Sequence, residues 1–382
     1  MYKTIEELVT RVDERNSDGT VSELIGVSID KCFIKSVANT NGTDLSKYKI
    51  IRKNDFAVSL MQVSRDGKIP VARLEEYEEA IMSPAYPIFR VKDKNIILPD
   101  YLEMWFKRPE FDREAAFIAV GGVRGSMPWE EFAKMKLPVP SIEKQQKIVN
   151  AYKIVTDRIA LKQKINDNLA NTEQLILYQA ISKNQTIPLS LNEIAEFIDG
   201  DRGKNYPTFD EFSTSGFCLF LNASNVTSSG FNFDSCMFVT EEKDKIMRNG
   251  HLLLNDIVFT SRGTLGNVAL YDKNIKYKNV RINSGMLIIR PKGINLSPYF
   301  IYALLKSNYM KSAIEQFRSG SAQPQLPIKD LQNITFDIPE SQNVLDDLEH
   351  RFFEIEETIS INKREIGNLS ELASILLARL SR

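Results

Sequence analysis

Histidine, cysteine and long apolar runs are what this chain has least of. Its 382 residues include two His and three Cys. Cys32, Cys218 and Cys236 have no close pair, so neither a disulfide framework nor a zinc knuckle is expected, and with only His251 and His350 a His/Cys metal site is not expected either. No apolar stretch approaches the ~18 residues that a membrane helix requires. Met1 to Arg11 lacks the basic-then-apolar pattern of a signal peptide, so the reading is a cytoplasmic protein without a membrane role. An excess of charge of one sign is also missing: 49 Lys and Arg stand against 50 Asp and Glu, a formal net charge of -1. At face value that balance counts against a protein that binds nucleic acid alone.

Catalytic motifs are missing as well. The chain has no Gly-x-x-x-x-Gly-Lys phosphate loop, no Gly-x-Gly-x-x-Gly turn after a strand and no Gly-x-Ser-x-Gly elbow. An Asn/Asp-Pro-Pro-aromatic motif, which would hold a flipped adenine, is absent too. Gly121, Gly122 and Gly125 have the wrong spacing for a nucleotide fingerprint and read as backbone that stays flexible beside a ligand or partner. Glu241, Lys243 and Asp244 could imitate a nuclease site but read as a solvated helix face. No catalytic residue and no metal ligand is assigned. The chain reads as one that holds and recognises.

What the sequence does contain is a repeat with a period of about 200 residues. Ile159, Leu161, Lys164, Asn168, Leu169, Ile176 and Leu177 align without a gap with Ile359, Ile361, Arg364, Asn368, Leu369, Leu376 and Leu377. The second of these stretches carries a full heptad seam of Leu345, Leu348, Phe352, Ile355, Ile359, Asn362, Ile366, Leu369, Ala373, Leu376 and Leu380. In the first, Ile148, Tyr152, Val155 and Ile159 are followed by polar Lys162 and Asn166, then by Leu169, Glu173, Ile176 and Ala180. Ile165 and Thr172 are expected to take over where that seam turns polar. Neither stretch contains Pro, so each is expected to run as one helix of roughly 40 residues. Two such seams in one chain most simply pack on each other, with Asn362 setting the register.

A domain-sized block precedes each helix, giving residues 1–140, a helix over 141–185, residues 186–339 and a helix over 340–382. The blocks match at framework positions. Asn54 and Asp55 before an alternating apolar run correspond to Asn255 and Asp256, a turn entering a strand. Ser64, Arg65, Asp66 and Gly67 correspond to Ser261, Arg262, Gly263 and Thr264. Helices are expected near Pro99 and after Ser297. The fold class is α/β, of the α+β kind, with mostly antiparallel or mixed sheets.

The turn arginines are the best recognition candidates because both blocks have them: Arg65 with Arg262, and Arg124 with Arg318 beside Gly-Ser turns. Arginine forks bidentately to guanine or phosphate, and neighbouring Gly and Ser let backbone amides approach a phosphate. Lys68, Arg202, Lys204, Asn205, Asn225, Asn267, Arg281 and Gln323 lie in similarly polar, loop-like surroundings and join the list of candidate DNA contacts.

The run from Leu137 to Ile148 (Leu-Pro-Val-Pro-Ser-Ile-Glu-Lys-Gln-Gln-Lys-Ile) resembles the junction entering the central helix of the specificity subunits of type I restriction-modification systems. Gly320 to Leu326 is similar to the turn near the end of their target-recognition domains. Leu191, Glu193, Ile194, Ala195, Phe197, Ile198 and Gly200 resemble the opening of a second such domain. The resemblance spans the whole chain in the order recognition domain, helix, recognition domain, helix. It departs at the second junction, where Ser341, Gln342 and Asn343 replace Ile142, Glu143 and Lys144.

The resemblance implies that each recognition domain reads one half of a bipartite site on double-stranded DNA. It implies an antiparallel coiled-coil spacer that docks two adenine-N6 methyltransferase subunits. Those partners would bring S-adenosylmethionine, this chain carrying no cofactor of its own, and a motor-nuclease subunit can join. The chain itself would be a non-catalytic recognition subunit. Its spacer and interface residues would include Ile148, Tyr152, Val155, Ile159, Leu169 and Ile176 on the first helix. On the second they would include Leu348, Phe352, Ile355, Ile359, Leu369 and Leu376. A helix pair of this length suits two readers about one duplex turn apart, roughly 34 Å. The alternative from the residues alone is a coiled-coil adaptor whose two domains bind protein, with no DNA role.

Overall fold

Two short turns show how the repeat becomes structure. At Asn54 and Asn255 the backbone is left-handed, with φ of 71° and 72°, a conformation that Asn tolerates better than most residues. The following aspartates are fully enclosed. Asp55 accepts from Arg52 N at 3.0 Å and takes a forked pair from Arg90, at 2.6 and 2.8 Å. Asp256 accepts from Leu253 N at 2.7 Å and takes the same fork from Arg290, both bonds at 2.7 Å. Each turn is thereby pinned to the strand that follows much later in the chain. A bidentate guanidinium is the partner that lets a buried carboxylate stay ionised.

The computed structural model describes residues 1–36, 43–61, 63–121, 125–293, 296–317 and 326–381. The chain forms two compact units, Met1–Leu161 with Ile366–Arg382, and Lys162–Glu365. In the first unit a four-stranded sheet runs in the order Val9–Val12, Ile88–Val91, Phe56–Val58, Val71–Arg73. In the second, the order Ala195–Asp199, Met286–Pro291, Ile257–Thr260, Val268–Leu270 repeats that topology, and all pairings in both sheets are antiparallel. A parallel pairing of Cys218–Leu221 with Val280–Ile282 makes the second unit's smaller sheet mixed. Each unit also closes its first strand on its last: Tyr2–Thr4 pairs with Lys136–Pro138, and Thr186–Ser190 with Thr335–Pro339. The helical turn after each opening strand starts in a capping box, Thr4 with Glu7 and Ser190 with Glu193, which satisfies otherwise orphaned backbone donors.

The cores explain the choice of residues. In the first unit Phe56 stacks on Phe89 at 5.3 Å, and Phe106, Phe111 and Phe132 fill the space between sheet and helices. In the second, Ile257, Phe259, Leu287 and Ile289 pack against Phe300 to Leu305 of the helix Pro298–Lys306. That helix starts where Ser297 Oγ accepts from Phe300 N at 3.1 Å, with Pro298 at the first position, where its missing N–H costs nothing.

The two long helices are Ile142–Lys183, of 42 residues, and Gln342–Ala378, of 37. The second helix keeps the expected seam, every position from Leu345 to Leu380 in it being buried or half-buried. On the first, Val155, Glu173 and Ala180 are buried while Ile148, Tyr152, Ile159, Leu169 and Ile176 are half-buried. Ile165 and Thr172 do not take over: both are exposed. The polar seam is kept because it has partners in the second unit. Lys162 pairs with Glu365 at 2.7 Å and donates to Asn362 Oδ1 at 2.8 Å, and Asn362 Nδ2 donates to Asn166 Oδ1 at 2.8 Å. Because higher numbers on one helix meet lower numbers on the other, the pair is antiparallel there. In the first unit Val149 shares a core with Leu377 and Leu380.

Candidate functional site

Each unit presents an exposed arginine after the same strand of the shared topology. In the first unit the strand Phe56–Val58 leads to a helical turn, Val63–Asp66, that carries Arg65 outward with 62% of its side chain exposed. Among the described residues its guanidinium bonds Asp66, at 2.7 and 3.1 Å; that bond is the main cause holding the Asp66 carboxyl below its ordinary range. Gly125 lies directly against this turn. A side chain there would place Cβ 2.5 Å from Ser64 Oγ and 3.4 Å from Arg65 N, on a backbone with φ of +72°. Met127 N donates to Leu60 O at 2.8 Å and fixes the approach. Lys68 is exposed beside Gly67. Arg124 lies outside the described residues.

The second unit repeats the strand and the returning segment but not the helical turn. After Ile257–Thr260, Ser261 leads to Arg262, which is exposed. Leu326 N donates to Ser261 O at 3.2 Å, the counterpart of the Met127 bond. Ser261 is held further by its N and Oγ, each 3.0 Å from Gly285 O. Thr260 Oγ1 contacts Thr264 O and accepts from Asn267 N at 2.9 Å, which closes the turn from the other side. Arg318 and Gln323 lie outside the described residues.

Beside this turn opens a cleft lined by 199–205 with Arg248 and Asn249. Arg202 reaches Asp199 at 2.9 Å and Ser284 O at 3.2 Å. Lys204 is exposed on the same wall. Asp201 is buried and turned to the backbone, accepting from Gly203 N at 2.7 Å and from Arg248 N at 2.8 Å. Those two bonds are the main causes lowering its carboxyl pKa.

Four candidates depart from the sequence-based expectation. Arg281 is buried: it pairs with Asp244 and donates to Asn249 O and Asp244 O, both at 2.8 Å. Its donors are spent inside, where an uncompensated guanidinium would be costly, so it braces the cleft wall. The same pair takes Asp244 off the expected solvated face, and Lys243 bonds Glu211 at 2.7 Å, while Glu241 stays exposed and pairs with Lys245 at 2.7 Å. Asn267 donates to Val226 O at 3.0 Å. Asn225 is buried and donates to Asn232 O and Ser235 O, at 3.0 and 2.8 Å; Asn205 donates to Ile246 O at 2.9 Å. These amides hold loops in shape. Arg248 was not a sequence candidate. Its only signal was the neighbouring Asn249-Gly250 turn, in which Gly250 has φ of +91°.

The junctions into the two long helices differ in an interior way. Gln145 is fully buried, accepting from Leu98 N and donating to Ile96 O and Pro140 O, all at 2.9 Å. Two hundred residues on, Leu345 fills the corresponding position in an apolar core. The departure from Ile142-Glu143-Lys144 at the second junction thus accompanies a change from polar to apolar locking.

Among the described residues no helix is long and apolar enough to cross a membrane. Residues 25–171 and 188–366 match the family model described as the type I restriction modification DNA specificity domain. The type I restriction enzyme MjaIX specificity subunit of Methanocaldococcus jannaschii is 21% identical over 304 residues, which cover 75% of this chain and 69% of that protein. The crystal structure of a type I restriction-modification system S subunit from M. genitalium shares the fold with a TM-score of 0.58 at 18% identity, over 100% of this chain and 96% of that one. The family model covers both halves of the duplicated chain, and the protein belongs to the type I restriction-modification DNA specificity family.

Proposed function

We propose that this chain is the DNA-reading subunit of a type I complex, each unit reading one half of a bipartite duplex site. The observation that carries the reading is an exposed arginine after the same strand of a shared topology in each unit, Arg65 on the helical turn Val63–Asp66 and Arg262 two residues after Ile257–Thr260, beside a returning segment anchored by one backbone bond just after the strand. Arginine on a rigid turn can fork to a guanine edge in the major groove. The frameworks are alike while the surrounding loops differ, which suits two different half-sites.

The chemistry is assigned to partners. Two adenine-N6 methyltransferase subunits, bringing S-adenosylmethionine, would dock at the long helices, and a motor-nuclease subunit can join; this chain acts as a non-catalytic reader. Apolar side chains left exposed at the repeat offset support that docking: Leu161 at 59% and Ile361 at 42%, Leu175 at 61% and Ile375 at 44%. Equal faces on two copies of one helix suit two identical partners.

The test is a genome-wide map of methylated adenines with and without the gene, then with Arg65→Ala or Arg262→Ala. A bipartite motif should vanish with the gene, and each substitution should relax discrimination in one half only. A map that does not change on deletion refutes the reading, and equal loss at every site removes the base-reading role of the arginines. Footprinting of the complex that shows no protected bipartite site would favour the protein adaptor instead.

A further inference from the structure

The cleft beside Arg262 holds positive charge that the fold does not use. Arg202 is already committed to Asp199 and Ser284 O. Lys204 and Arg248 are exposed, and neither forms an ion pair or hydrogen bond through its charged group among the described residues. Of the two carboxylates present, Asp199 faces Arg202, and Asp201 is buried with its oxygens on backbone N–H groups. The Arg248 guanidinium acts on the Asp201 carboxylate through space without bonding it, so both cations keep their N–H donors available among the described residues.

The walls that carry them are rigid. Asp201 staples the loop around Gly203 to the backbone of Arg248. Arg281 braces the segment from Asp244 to Asn249 from behind. Gly200 lets the first wall run so close to the 283–284 backbone that a Cβ would come within 2.2 Å of Asn283 O. The cleft also borders the turn that carries Arg262: Ser284 O takes Arg202, and the next residue, Gly285, anchors Ser261.

We infer that this cleft seats the phosphodiester backbone of the duplex whose base edges meet Arg262, with Arg248 and Lys204 as its two phosphate contacts. This rests on the proposed DNA-reading role and divides the work within the unit: Arg262 reads sequence, and the cleft fixes register without reading it. A phosphate is favoured over a base because the donors are two separate cations on an open wall, and Asn205 is spent on Ile246 O. The first unit has no such seat at the matching place among the described residues. After Val9–Val12, whose register matches that of Ala195–Asp199, the cations Arg15, Lys49 and Arg52 all face Asp13 or Glu14. The two half-sites are therefore gripped unequally.

The experiment uses the chain co-purified with its partner methyltransferase and duplexes carrying the mapped motif, titrated with salt by fluorescence anisotropy. Arg248→Ala with Lys204→Ala should weaken binding to cognate and altered duplexes by the same factor. It should also reduce the slope of log K against log salt by about 2, one unit for each phosphate no longer neutralised. In the Lys204→Ala background, Arg248→Lys in place of Arg248→Ala should restore about half of that change, since it retains a point charge. Loss confined to one half-site would make these residues base readers and overturn the inference, as would an unchanged affinity and slope. A wild-type complex that binds no duplex would refute the DNA-reading role itself, a separate outcome.

Discussion

Lys306 is the side chain whose removal should do the most damage for the least change in volume. In the second unit its ammonium sits between two carboxylates from the two long helices, 2.7 Å from Glu173 and 2.5 Å from Glu356. Glu173 is completely buried, and its second oxygen, Oε1, has no hydrogen-bond partner among the described residues. Burial is the main force raising its pKa well above the carboxylate range; Lys306 opposes the shift and Glu356 adds to it. Lys306→Met would leave two facing buried carboxylates without their direct ion-pair partner, the Lys363 ammonium acting on Glu356 only through space while bonded to Ser229 O, a loss of about 3–5 kcal/mol. For a unit of this size that is about 6–20 °C in Tm. Glu173→Gln has the opposite consequence. It leaves Lys306 paired one-to-one with Glu356 and removes an ionisation the fold resists.

The pH dependence follows from the sign. The folded pKa of Glu173 lies above its unfolded value, so the unfolded chain gives up this proton first. Its contribution to stability is full below the ordinary carboxylate range and is lost as pH rises from there through the raised folded pKa. Glu173→Gln should flatten that decline, and Lys306→Met should steepen it. Scanning calorimetry from pH 5 to 9 on the wild type and both variants checks this, following the transition of the second unit. The first unit has Thr156 and Ala373 at the corresponding places and should melt unchanged. If Lys306→Met costs under about 1 kcal/mol, or if Glu173→Gln destabilises as much as Lys306→Met, the cluster is not a buried charge network.

Gln145→Leu copies the residue found at the second junction but strands Leu98 N, Ile96 O and Pro140 O in the first. A loss of about 1–3 kcal/mol is expected from the orphaned groups, read as earlier melting of the first unit; no change would show that water replaces the amide. Gly125→Ala forces a left-handed backbone and a Cβ into Ser64. It should relax discrimination in one half of the methylation motif while leaving the other intact, and a map identical to wild type would show that the turn adjusts freely.

Much of the framework was legible because repetition marks residues that do the same work twice. Asn54-Asp55 and Asn255-Asp256 stood out as turns, and both became left-handed turns entering strands. The heptad seam was legible because period 3.5 puts Leu348, Phe352, Ile355 and Ile359 on one face. The arginines that clamp those aspartates, Arg90 and Arg290, were not, since nothing local ties a strand residue to a turn some 35 positions away. Arg281 and Asn267 show the same limit from the other side. Residue type suggests a charge or an amide free to recognise, but burial by distant segments decides whether the group faces solvent or closes a loop.

The duplication, the two long helices, the α+β class and the paired turn arginines were set by residue order alone, because each depends on local periodicity or on two copies agreeing. Tertiary structure decided which polar groups remain available. It kept Lys162 and Asn166 in the seam by supplying Glu365 and Asn362 opposite, and it left Ile165 outside. It placed Lys306 between two glutamates more than 130 and about 50 positions away. It also divided each long helix between two packing units. The physical reason is common to all of these: the cost of a charge depends on what surrounds it, and those surroundings come from segments brought together only when the chain folds.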